Sequence, residues 1–228
     1  RLDENTWRRT KGWVELGPFA GSMIRRHTPT YESLRVYKEK HFHYDPAVFE
    51  QPDGTDFHGY FQSWRYLVDL PRETFAFLPE WAKKIQDVTD QLRAEAQSRG
   101  FNRLVSVHIR RGDYLKHPDT HVVVSRDYVM QASELFKNSL PVIFSDDLEW
   151  CDGHLPATWL RCTTNCPWTD MGVMSRCDDN IISASTFSWW GAYLNQTPGK
   201  MVVAPKQWFN PKAGHDTVDL IPPGWVQL

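Results

Sequence analysis

Between residues 101 and 205, short apolar segments typical of β-strands alternate with segments that carry the helical period, and this alternation constrains the fold more than any other feature. The strand-like segments are "LVSVHIR", "PVIFS", "TWLRC", "NIIS" and "KMVVAP". Helix-like segments separate most of them, and Ser125 stands where an N-cap is expected for "RDYVMQASELFK". Strands that alternate with helices form a parallel sheet with right-handed crossovers. The sequence therefore predicts a doubly wound α/β domain over about residues 101–205.

A long amphipathic helix is predicted just before this domain, in "PEWAKKIQDVTDQLRAEAQSRG". A proline precedes the segment and a glycine can end it, as is common at helix termini. Its apolar side chains recur at helical spacing, at Trp81, Ile85, Val88, Leu92 and Ala96. The residues before this helix are rich in aromatics, prolines and histidines and show no repeat, so we expect them to be irregular.

Composition limits what such a chain can do. Its 228 residues are 41% hydrophobic, which is enough for one large or two small cores, and a net charge of −2 argues against a protein that coats a polyanion. Any binding of negative charge must therefore be local. The four cysteines include a "CTTNC" spacing that is looser than a zinc knuckle and has no second pair. We expect buried or free thiols, and a disulfide is left open.

Polar clusters follow three of the predicted strands. They occupy residues 108–113, 145–147 and 183–188. Because the carboxyl ends of parallel strands meet at one edge of the sheet, we expect these clusters to lie together there, where doubly wound domains bind their ligands. That edge of the sheet is therefore the predicted functional site.

The chemistry of this edge suits a pyrophosphate. Ser185, Thr186 and Ser188 stand where a strand turns into a helix, and free N–H groups at a helix N-terminus bind anions, although plain N-capping is the alternative. Arg110 and Arg111 offer paired donors to phosphate oxygens, and since they alternate across the strand, only one need face the ligand. No Walker loop or G-x-G-x-x-G follows a strand, which argues against ATP hydrolysis and nicotinamide chemistry.

Four segments stand in order along the chain: "GYFQSWRYL", "HIRRGDY", "VIFSDD" and "DMGVMSRCDDNIISASTFSWWGAYL". Together they resemble motifs of the α-1,2-fucosyltransferases of glycosyltransferase family 11, which are related to α-1,6- and protein O-fucosyltransferases. "HIRRGDY" is similar to the H-x-R-R-x-D motif of that family, and "GYFQSWRYL" is similar to its G-Y-F-Q-S segment. "DMGVMSRCDDNIISASTFSWWGAYL" resembles its longest motif, and "VIFSDD" is the fourth match. The Gly-rich turn with which the family usually opens, similar to G-G-L-G-N-Q-M-F, is not found in this chain.

The resemblance implies a GT-B type α/β fold with two facing Rossmann-like domains, of which the N-terminal one is incomplete. Residues 1–100 would form the acceptor-side domain, and residues 101–228 would bind the GDP-sugar donor. The resemblance further implies an inverting, metal-independent transfer of L-fucose from GDP-β-L-fucose to a galactoside hydroxyl, with an α-1,2 linkage favoured. The implied partners are GDP-fucose and a glycan acceptor, with no nucleic acid and no cofactor besides the donor substrate.

The resemblance also implies roles for individual residues. Arg110 would stabilise the negative charge that grows on the departing phosphate, while His108 and Arg111 would hold the donor and the loop. Asp113 is the candidate general base, and a salt bridge that orients either arginine is its alternative. Asp170 would accept the guanine N–H groups. The remaining nucleotide contacts are expected from Ser145, Asp146, Ser185, Thr186, Phe187 and Ser188.

Alternatives stay open on function and location. The chain could bind a GDP-sugar without turnover, because the Gly-rich turn is missing, or it could use a peptide or a core glycan as acceptor. The tripeptide Arg111-Gly112-Asp113 could serve an adhesion receptor, which would need both charged side chains exposed in a mobile loop. No apolar segment reaches the ~20 residues of a membrane span. A cytoplasmic microbial or viral enzyme is therefore favoured, with a Golgi lumenal domain as the alternative if an anchor has been removed.

The sequence also predicts roles for a few other polar and aromatic residues. Gln62 of "GYFQS" is expected to reach an acceptor cleft or to be a turn residue. Trp189 and Trp190 fall on a helical pattern and are expected to pack in the core rather than to stack on a sugar. Asn195 begins "NQT", a formal N-glycosylation triplet of a kind that is frequent by chance.

Overall fold

The structure of the chain, a computed structural model, describes all residues from 35 to 228 except residue 71. One compact unit comprises the described residues up to 78 together with residues 215–222. A second unit comprises residues 79–214 and 223–228. The expected acceptor-side and donor-side roles of the two parts of the chain stay predictions.

The first unit is built from short elements. Strands β1 (Val36–Lys38) and β2 (Asp56–His58) pair in parallel. Short 3-10 helices span Pro46–Val48, Trp64–Leu67 and Arg72–Phe75. Among the described residues of this unit there is no longer helix or strand, as the irregular sequence predicts.

The "GYFQS" segment forms a tight turn directly after β2. The Glu39 carboxylate accepts hydrogen bonds from the backbone N–H groups of Tyr60 at 2.6 Å and Phe61 at 2.9 Å. Phe61 adopts a φ of 48°, in the left-handed region that non-glycine residues rarely occupy. Gly59 is required beside this turn, because a Cβ there would lie 2.3 Å from Glu39 Cβ. Gln62 follows Phe61, and both of its expected roles stay predictions.

The second unit is an α/β domain in which strands and helices alternate. Its elements are, in chain order, α1 (Pro79–Ser98), β3 (Arg103–Ile109), α2 (Arg126–Ser133), β4 (Ser139–Ser145), α3 (Leu148–His154), β5 (Leu160–Arg161), α4 (Pro167–Met174), β6 (Asp179–Ile181), α5 (Thr186–Leu194), β7 (Val202–Ala204) and β8 (Val226–Gln227). All except α3 and β8 coincide with segments expected from the sequence. Ser125 caps α2, since its Oγ accepts the Tyr128 N–H at 3.1 Å. None of the helices in the described residues is both long and apolar enough to span a membrane.

Six parallel strands form the sheet of the second unit, in the order β5-β4-β3-β6-β7-β8. The chain moves outward from β3 through β4 to β5, and then returns to the other side of β3 to continue with β6. The strand order therefore reverses between β3 and β6, and doubly wound sheets bind ligands at this topological switch point. The predicted α/β class with a parallel sheet is confirmed, whereas the facing two-domain GT-B arrangement stays a prediction.

The core of the second unit explains why β3 reads as an almost continuous apolar segment. Every residue from Leu104 to Ile109 is at most 5% exposed, as expected when helices cover both faces of a parallel sheet. Gly172 allows α1 and α4 to approach closely, because a Cβ there would lie 2.2 Å from Ile85 Cδ1. Trp189 is buried and stacks on Tyr193 at 4.8 Å, so the prediction that Trp189 packs in the core is confirmed.

Candidate functional site

The carboxyl ends of β3, β4 and β6 bring the predicted residues together at the switch point. In the sheet register Ile109 of β3 lies opposite Ser145 of β4, so the segments that follow these two strands leave the sheet side by side. On the other side of β3, Val107 pairs with Ile181, and Ser183 follows two residues later. The polar clusters expected at one edge of the sheet are therefore adjacent in the fold.

His108 joins the ends of the two central strands. Its side chain is buried, and its Nδ1 is hydrogen-bonded to the Ser183 hydroxyl at 2.7 Å. Its ring also lies 5.4 Å from the ring of Phe187. Burial, with a further contribution from the positive charge of Arg110, lowers the pKa of His108 to about 3. The imidazole is therefore neutral at physiological pH and fixes the geometry of the site without adding charge.

Arg110 is the first residue after β3, and two carboxylates share its guanidinium. Its Nη2 lies 2.7 Å from Asp113 Oδ1, and its Nη1 lies 3.0 Å from Asp146 Oδ2. The guanidinium also lies over the Tyr114 ring, with Cζ 5.4 Å from the ring centroid. The Arg110 side chain is 33% exposed, so an anion can reach it. Asp113 therefore makes the salt bridge expected as its alternative role.

Arg111 ties the same loop to helix α3. Its Nε donates to Asp147 Oδ2 at 3.0 Å, its Cζ lies 4.2 Å from the centroid of the Trp150 ring, and its side chain is only 16% exposed. Asp147 caps α3, because its Oδ1 accepts the Trp150 N–H at 3.0 Å. The hydrogen bonds from Trp150 and Arg111 lower the pKa of the Asp147 carboxyl. Of the two arginines, Arg110 has the more accessible guanidinium.

Asp146, the first residue after β4, stabilises the turn that follows β3 with its carboxylate. Its Oδ1 accepts the backbone N–H of Arg111 at 2.9 Å, while its Oδ2 faces Arg110. Gly112 packs against the same carboxylate, and a Cβ at this position would lie 2.5 Å from Asp146 Oδ2. The Ser145 hydroxyl accepts a backbone N–H two residues later at 2.9 Å. Asp146 and Ser145, both expected to contact the nucleotide, thus also organise the loops that follow β3 and β4.

Helix α5 begins at the end of β6 with Ser185 as its N-cap residue, but the Ser185 side chain does not cap the helix. The first turn of the helix closes with the hydrogen bond from Trp189 N–H to Ser185 O at 3.0 Å. The N–H groups of Thr186, Phe187 and Ser188 precede this bond, and no side chain of the described residues caps them. The buried Ser188 hydroxyl donates to Ser185 O at 3.1 Å. The anion cradle predicted from the sequence would therefore consist of backbone N–H groups, with the exposed Thr186 hydroxyl beside them.

Asp170 lies in the first turn of α4, which follows β5. Its Oδ1 accepts a hydrogen bond from the Thr164 hydroxyl at 2.5 Å. Burial raises the pKa of the Asp170 carboxyl, and the hydrogen bond from Thr164 offsets part of this effect. Strands β3 and β5 are two strand spacings apart, about 10 Å. Asp170 therefore belongs to the β5 side of the sheet and Arg110 to the β3 side.

Two aromatic residues of the site, Tyr114 and His121, are missing from the residues expected from the sequence. Their rings stack at a centroid distance of 4.0 Å and an interplanar angle of 12°. Burial raises the pKa of Tyr114, whereas burial lowers the pKa of His121. The position of Tyr114 within "HIRRGDY" is a usable signal, but His121 is brought in by tertiary contacts alone.

The exposure of the charged side chains argues against an adhesion tripeptide. The hypothesis requires Arg111 and Asp113 to be presented together in a mobile loop. Asp113 is 58% exposed, but Arg111 is held against Asp147 and the Trp150 ring. A receptor would have to break these contacts before it could bind the guanidinium of Arg111.

The four cysteines are free thiols. Cys151, Cys162 and Cys177 are buried, and Cys166 is partly exposed. Burial raises the pKa of Cys162 to about 12, so its thiol stays protonated and unreactive at physiological pH. The expectation of buried or free thiols is confirmed.

Several curated proteins are similar to this chain. "O-antigen biosynthesis glycosyltransferase WbnK" of Escherichia coli is 36% identical over 135 residues, which is 54% of this chain and 44% of that protein. "Alpha-1,2-colitosyltransferase" of Escherichia coli is 28% identical over 192 residues, 76% of this chain and 62% of that protein. Human "Galactoside alpha-(1,2)-fucosyltransferase 1" is 29% identical over 148 residues, 58% of this chain and 40% of that protein. The chain thus spans about half the length of the curated relatives it matches.

Comparison with solved structures and family models gives two further findings. A structure of POFUT1 in complex with GDP-fucose has a TM-score of 0.35 and 12% identity, and the similarity covers 61% of this chain and 57% of that one. The family model described as "Glycosyl transferase family 11" matches residues 37–228, which include all four motif segments. The chain therefore belongs to glycosyl transferase family 11.

Proposed function

We propose that this chain provides the donor-binding part of an inverting, metal-independent glycosyltransferase of GT-B type, which moves L-fucose from GDP-β-L-fucose to a galactoside hydroxyl in an α-1,2 linkage. Family membership supports sugar transfer, and the name of the human relative supports fucose and the linkage. The observation that carries the proposal is the position of Arg110. Its accessible guanidinium follows β3 at the switch point, and the uncapped N-terminus of α5 follows β6 on the other side of that point.

The reaction breaks the bond between the anomeric carbon of fucose and the β-phosphate oxygen. An acceptor oxygen bonds to the opposite face of that carbon, so the configuration inverts and GDP leaves with the electron pair of the broken bond. Negative charge grows on the β-phosphate as positive charge grows on the sugar ring. Arg110 and the N–H groups of Thr186 and Phe187 stabilise that negative charge as it develops, which is the task a divalent metal ion performs in other nucleotide-sugar sites.

Arrival of the diphosphate changes the partners of Arg110. A phosphate oxygen that binds this guanidinium replaces the exposed Asp113, for which the described residues provide this one ion pair. Asp113 is then free to take the proton of the acceptor hydroxyl, whereas Asp146 keeps its bond to the backbone of Arg111. In this account Asp113 is the general base, and His108 and Asp146 hold the site in shape.

The rest of the nucleotide is proposed to extend from the switch point towards β5. Asp170 would accept the N–H groups of guanine, about 10 Å from the phosphate site. Ser145 and Asp146, between these two positions at the end of β4, would line the ribose. The longest dimension of GDP would thus cross the ends of three strands.

The deciding experiment is incubation with GDP-fucose and a panel of terminal galactosides, with linkage analysis of the product and measurement of released GDP. We expect an α-1,2-linked fucosyl product in the presence of a chelator. Strict dependence on a divalent metal would overturn the metal-free account. Binding of GDP-fucose by titration calorimetry without GDP release would favour a GDP-sugar-binding domain instead, and product formed only on a peptide or a core glycan would change the acceptor.

A second candidate donor is GDP-linked colitose. The observation that favours it is the similarity to "Alpha-1,2-colitosyltransferase", which extends over 76% of this chain, the longest share among the relatives named above. Colitose lacks one hydroxyl group of fucose, so competition between the two GDP-sugars at equal concentration gives the ratio of their kcat/KM values directly. A ratio above one for GDP-fucose supports the first candidate, and a ratio below one supports colitose.

A further inference from the structure

The carboxylate of Asp170 has a hydrogen-bond partner in the loop between β5 and α4. The Thr164 hydroxyl lies 2.5 Å from Asp170 Oδ1 and 3.1 Å from the backbone oxygen of Cys166. A hydroxyl has one proton to donate, and the shorter bond to a charged acceptor is the stronger of the two. Thr164 therefore donates to Asp170.

The backbone of the same loop fixes the direction in which Thr164 donates. The N–H of Cys166, the N-cap residue of α4, donates to Thr164 Oγ1 at 3.3 Å and so occupies a lone pair of the hydroxyl. Asn165, between these two residues, has a φ of 55°, in the left-handed region where asparagine is enriched. Cys166 O in turn accepts the N–H of Asp170 at 3.0 Å. Thr164 and Asp170 thus bind the same N-cap residue, and the hydroxyl proton is directed towards the carboxylate.

Opposing effects act on the protonation of Asp170. Burial raises the pKa of its carboxyl and favours the neutral acid, whereas the hydrogen bond from Thr164 lowers this pKa. The positive charge of Lys84, on α1, acts in the same direction as Thr164 but more weakly. The Cys162 thiol adds no charge, because burial raises its pKa to about 12. Of these groups, Thr164 contributes most to the ionised form of Asp170.

The form of a carboxyl group decides which purine it can recognise. An ionised carboxylate only accepts hydrogen bonds, whereas the neutral acid has one donor beside an acceptor. Guanine presents two adjacent N–H donors on its Watson–Crick edge, and adenine presents a donor beside an acceptor. Two acceptor oxygens therefore suit guanine and repel the ring nitrogen of adenine. Asp170 Oδ1 has a second lone pair for the base after Thr164 has taken the first.

We propose that Thr164 is a positioning residue that sets the purine specificity of the nucleotide site: by donating to Oδ1 it holds Asp170 in place as an acceptor on both oxygens, and so selects guanine over adenine. The inference rests on the proposed function, which assigns guanine to Asp170, and it deepens that function. Thr164 acts on the base through Asp170.

The test is titration calorimetry with GDP and with ADP. Thr164→Val keeps the shape of the side chain but removes the donor, so GDP affinity should fall about tenfold, the effect of one hydrogen bond to a charged group. ADP affinity should stay the same or rise, because Asp170 can then present a donor. The ratio of the ADP to the GDP dissociation constant should therefore fall about tenfold or more. Thr164→Ser retains the hydroxyl and should keep this ratio within about threefold of wild type.

The matched control is Thr89→Val. The buried Thr89 hydroxyl donates to Ile85 O at 2.8 Å within α1, so this variant removes a hydroxyl hydrogen bond from the same unit but away from Asp170. It should leave the ratio of the two dissociation constants unchanged, whatever its melting temperature. If Thr164→Val does not fold, Thr164→Ser and Thr164→Ala give the same comparison, since they differ by the hydroxyl alone.

Asp170→Asn separates failure of the inference from failure of the proposed function. An amide has a donor beside an acceptor, so this variant should lose the preference for GDP. A wild-type ratio in Asp170→Asn would contradict the guanine contact of the proposed function. A lost preference in Asp170→Asn together with a wild-type ratio in Thr164→Val would overturn the role of Thr164 alone. An equal loss of preference in Thr164→Ser and Thr164→Val would also overturn it.

Discussion

The carboxylate of Asp146 holds Arg110 with one oxygen, at 3.0 Å from Nη1, and the backbone N–H of the next residue with the other, at 2.9 Å. One side chain from the end of β4 therefore sets both the direction of the Arg110 guanidinium and the path of the main chain that follows β3. In the proposed reaction Asp146 would contribute by orienting Arg110 towards the charge that develops on the phosphate. Small displacements of a group oriented in this way lower the reaction rate strongly.

Substitution of Gly112 should disturb this geometry directly. A Cβ at Gly112 would lie 2.5 Å from Asp146 Oδ2, so Gly112→Ala is expected to push the carboxylate away from both of its partners. We expect kcat to fall at least tenfold, with a loss of about 1–2 kcal/mol in the free energy of unfolding. The control is Gly153→Ala in α3, where a Cβ meets nothing within 4 Å; there the same change should be neutral or stabilising. Equal behaviour of the two variants would contradict this role of Gly112.

Arg110→Ala should abolish most turnover without unfolding the protein. The guanidinium is partly exposed and lies outside the sheet, so the circular dichroism spectrum and the melting temperature should change little. Loss of one donor aimed at developing charge lowers kcat by about 10²–10³. Arg110→Lys restores the charge but not the paired donors, and should recover only part of the rate. Wild-type kcat in Arg110→Ala would remove Arg110 from the mechanism.

Asp113→Asn separates the two roles of this carboxylate. If Asp113 accepts the acceptor proton, the variant should lose about 10²-fold or more in kcat. Loss of the exposed ion pair with Arg110 alone would cost at most about 1 kcal/mol, which corresponds to a change of about fivefold. We expect the first result, measured as kcat at saturating donor and acceptor.

His108 should make the protein sensitive to acid. Its pKa is lowered from the usual 6.5 to about 3 in the folded state, so between these values the unfolded chain binds a proton that the folded chain does not. The free energy of unfolding should therefore fall as the pH is lowered through this window, by up to about 1.4 kcal/mol per pH unit, and this contribution should be constant above it. Urea titrations of wild type and His108→Asn at several pH values give the two slopes. His117→Asn replaces an exposed histidine and should keep the wild-type slope. A slope in His108→Asn as steep as in the wild type would contradict the assignment of this pH dependence to His108.

Asn195 should carry no glycan, although it begins a glycosylation triplet. Its side chain is 0% exposed, and its Nδ2 donates to Cys177 O at 2.9 Å and to Asn180 Oδ1 at 2.8 Å. Asn195→Ala removes both donated hydrogen bonds and leaves Asn180 Oδ1 without this buried donor, while Cys177 O keeps the Thr197 hydroxyl at 3.2 Å; the change should cost about 2–4 kcal/mol in the free energy of unfolding. Asn102→Ala, at an exposed site, should change it by less than about 0.5 kcal/mol. A glycan at Asn195 in mass spectra of protein secreted from a glycosylating host would show that this segment opens before it folds.

The elements that the sequence predicts are those whose pattern is repeated over several turns or a whole strand. The helix Pro79–Ser98 and the strand Arg103–Ile109 are of this kind. The helix Leu148–His154 has only seven residues, with a glycine inside it, and is stabilised at its start by the Asp147 cap rather than by an apolar period. Strand Val226–Gln227 has two residues and joins the sheet after a long excursion of the chain, so no local signal marks it.

The residues of the candidate site also divide into those that the sequence predicts and those that it does not. Residues such as Arg110 and Ser183 could be placed at one edge, because strand ends are set by the topology. The partners that fix them could not, since the hydrogen bond from the Arg111 N–H to Asp146 joins two different strand ends and the stacking of Tyr114 on His121 follows no local period. Sequence patterns thus predict which residues lie together, and tertiary contacts decide which of the two arginines has the more accessible guanidinium.

The pairing of Arg110 with two acids has a consequence for selectivity. The two carboxylates balance the charge of the guanidinium, so an orthophosphate ion must compete with Asp113 and Asp146 for Arg110 and has no base to hold it in place. A nucleoside diphosphate whose base is also bound can displace the two carboxylates, since binding of the base keeps its phosphate at a high local concentration beside Arg110. Discrimination in favour of the intact sugar nucleotide would then originate in the acids around the arginine as much as in the arginine itself.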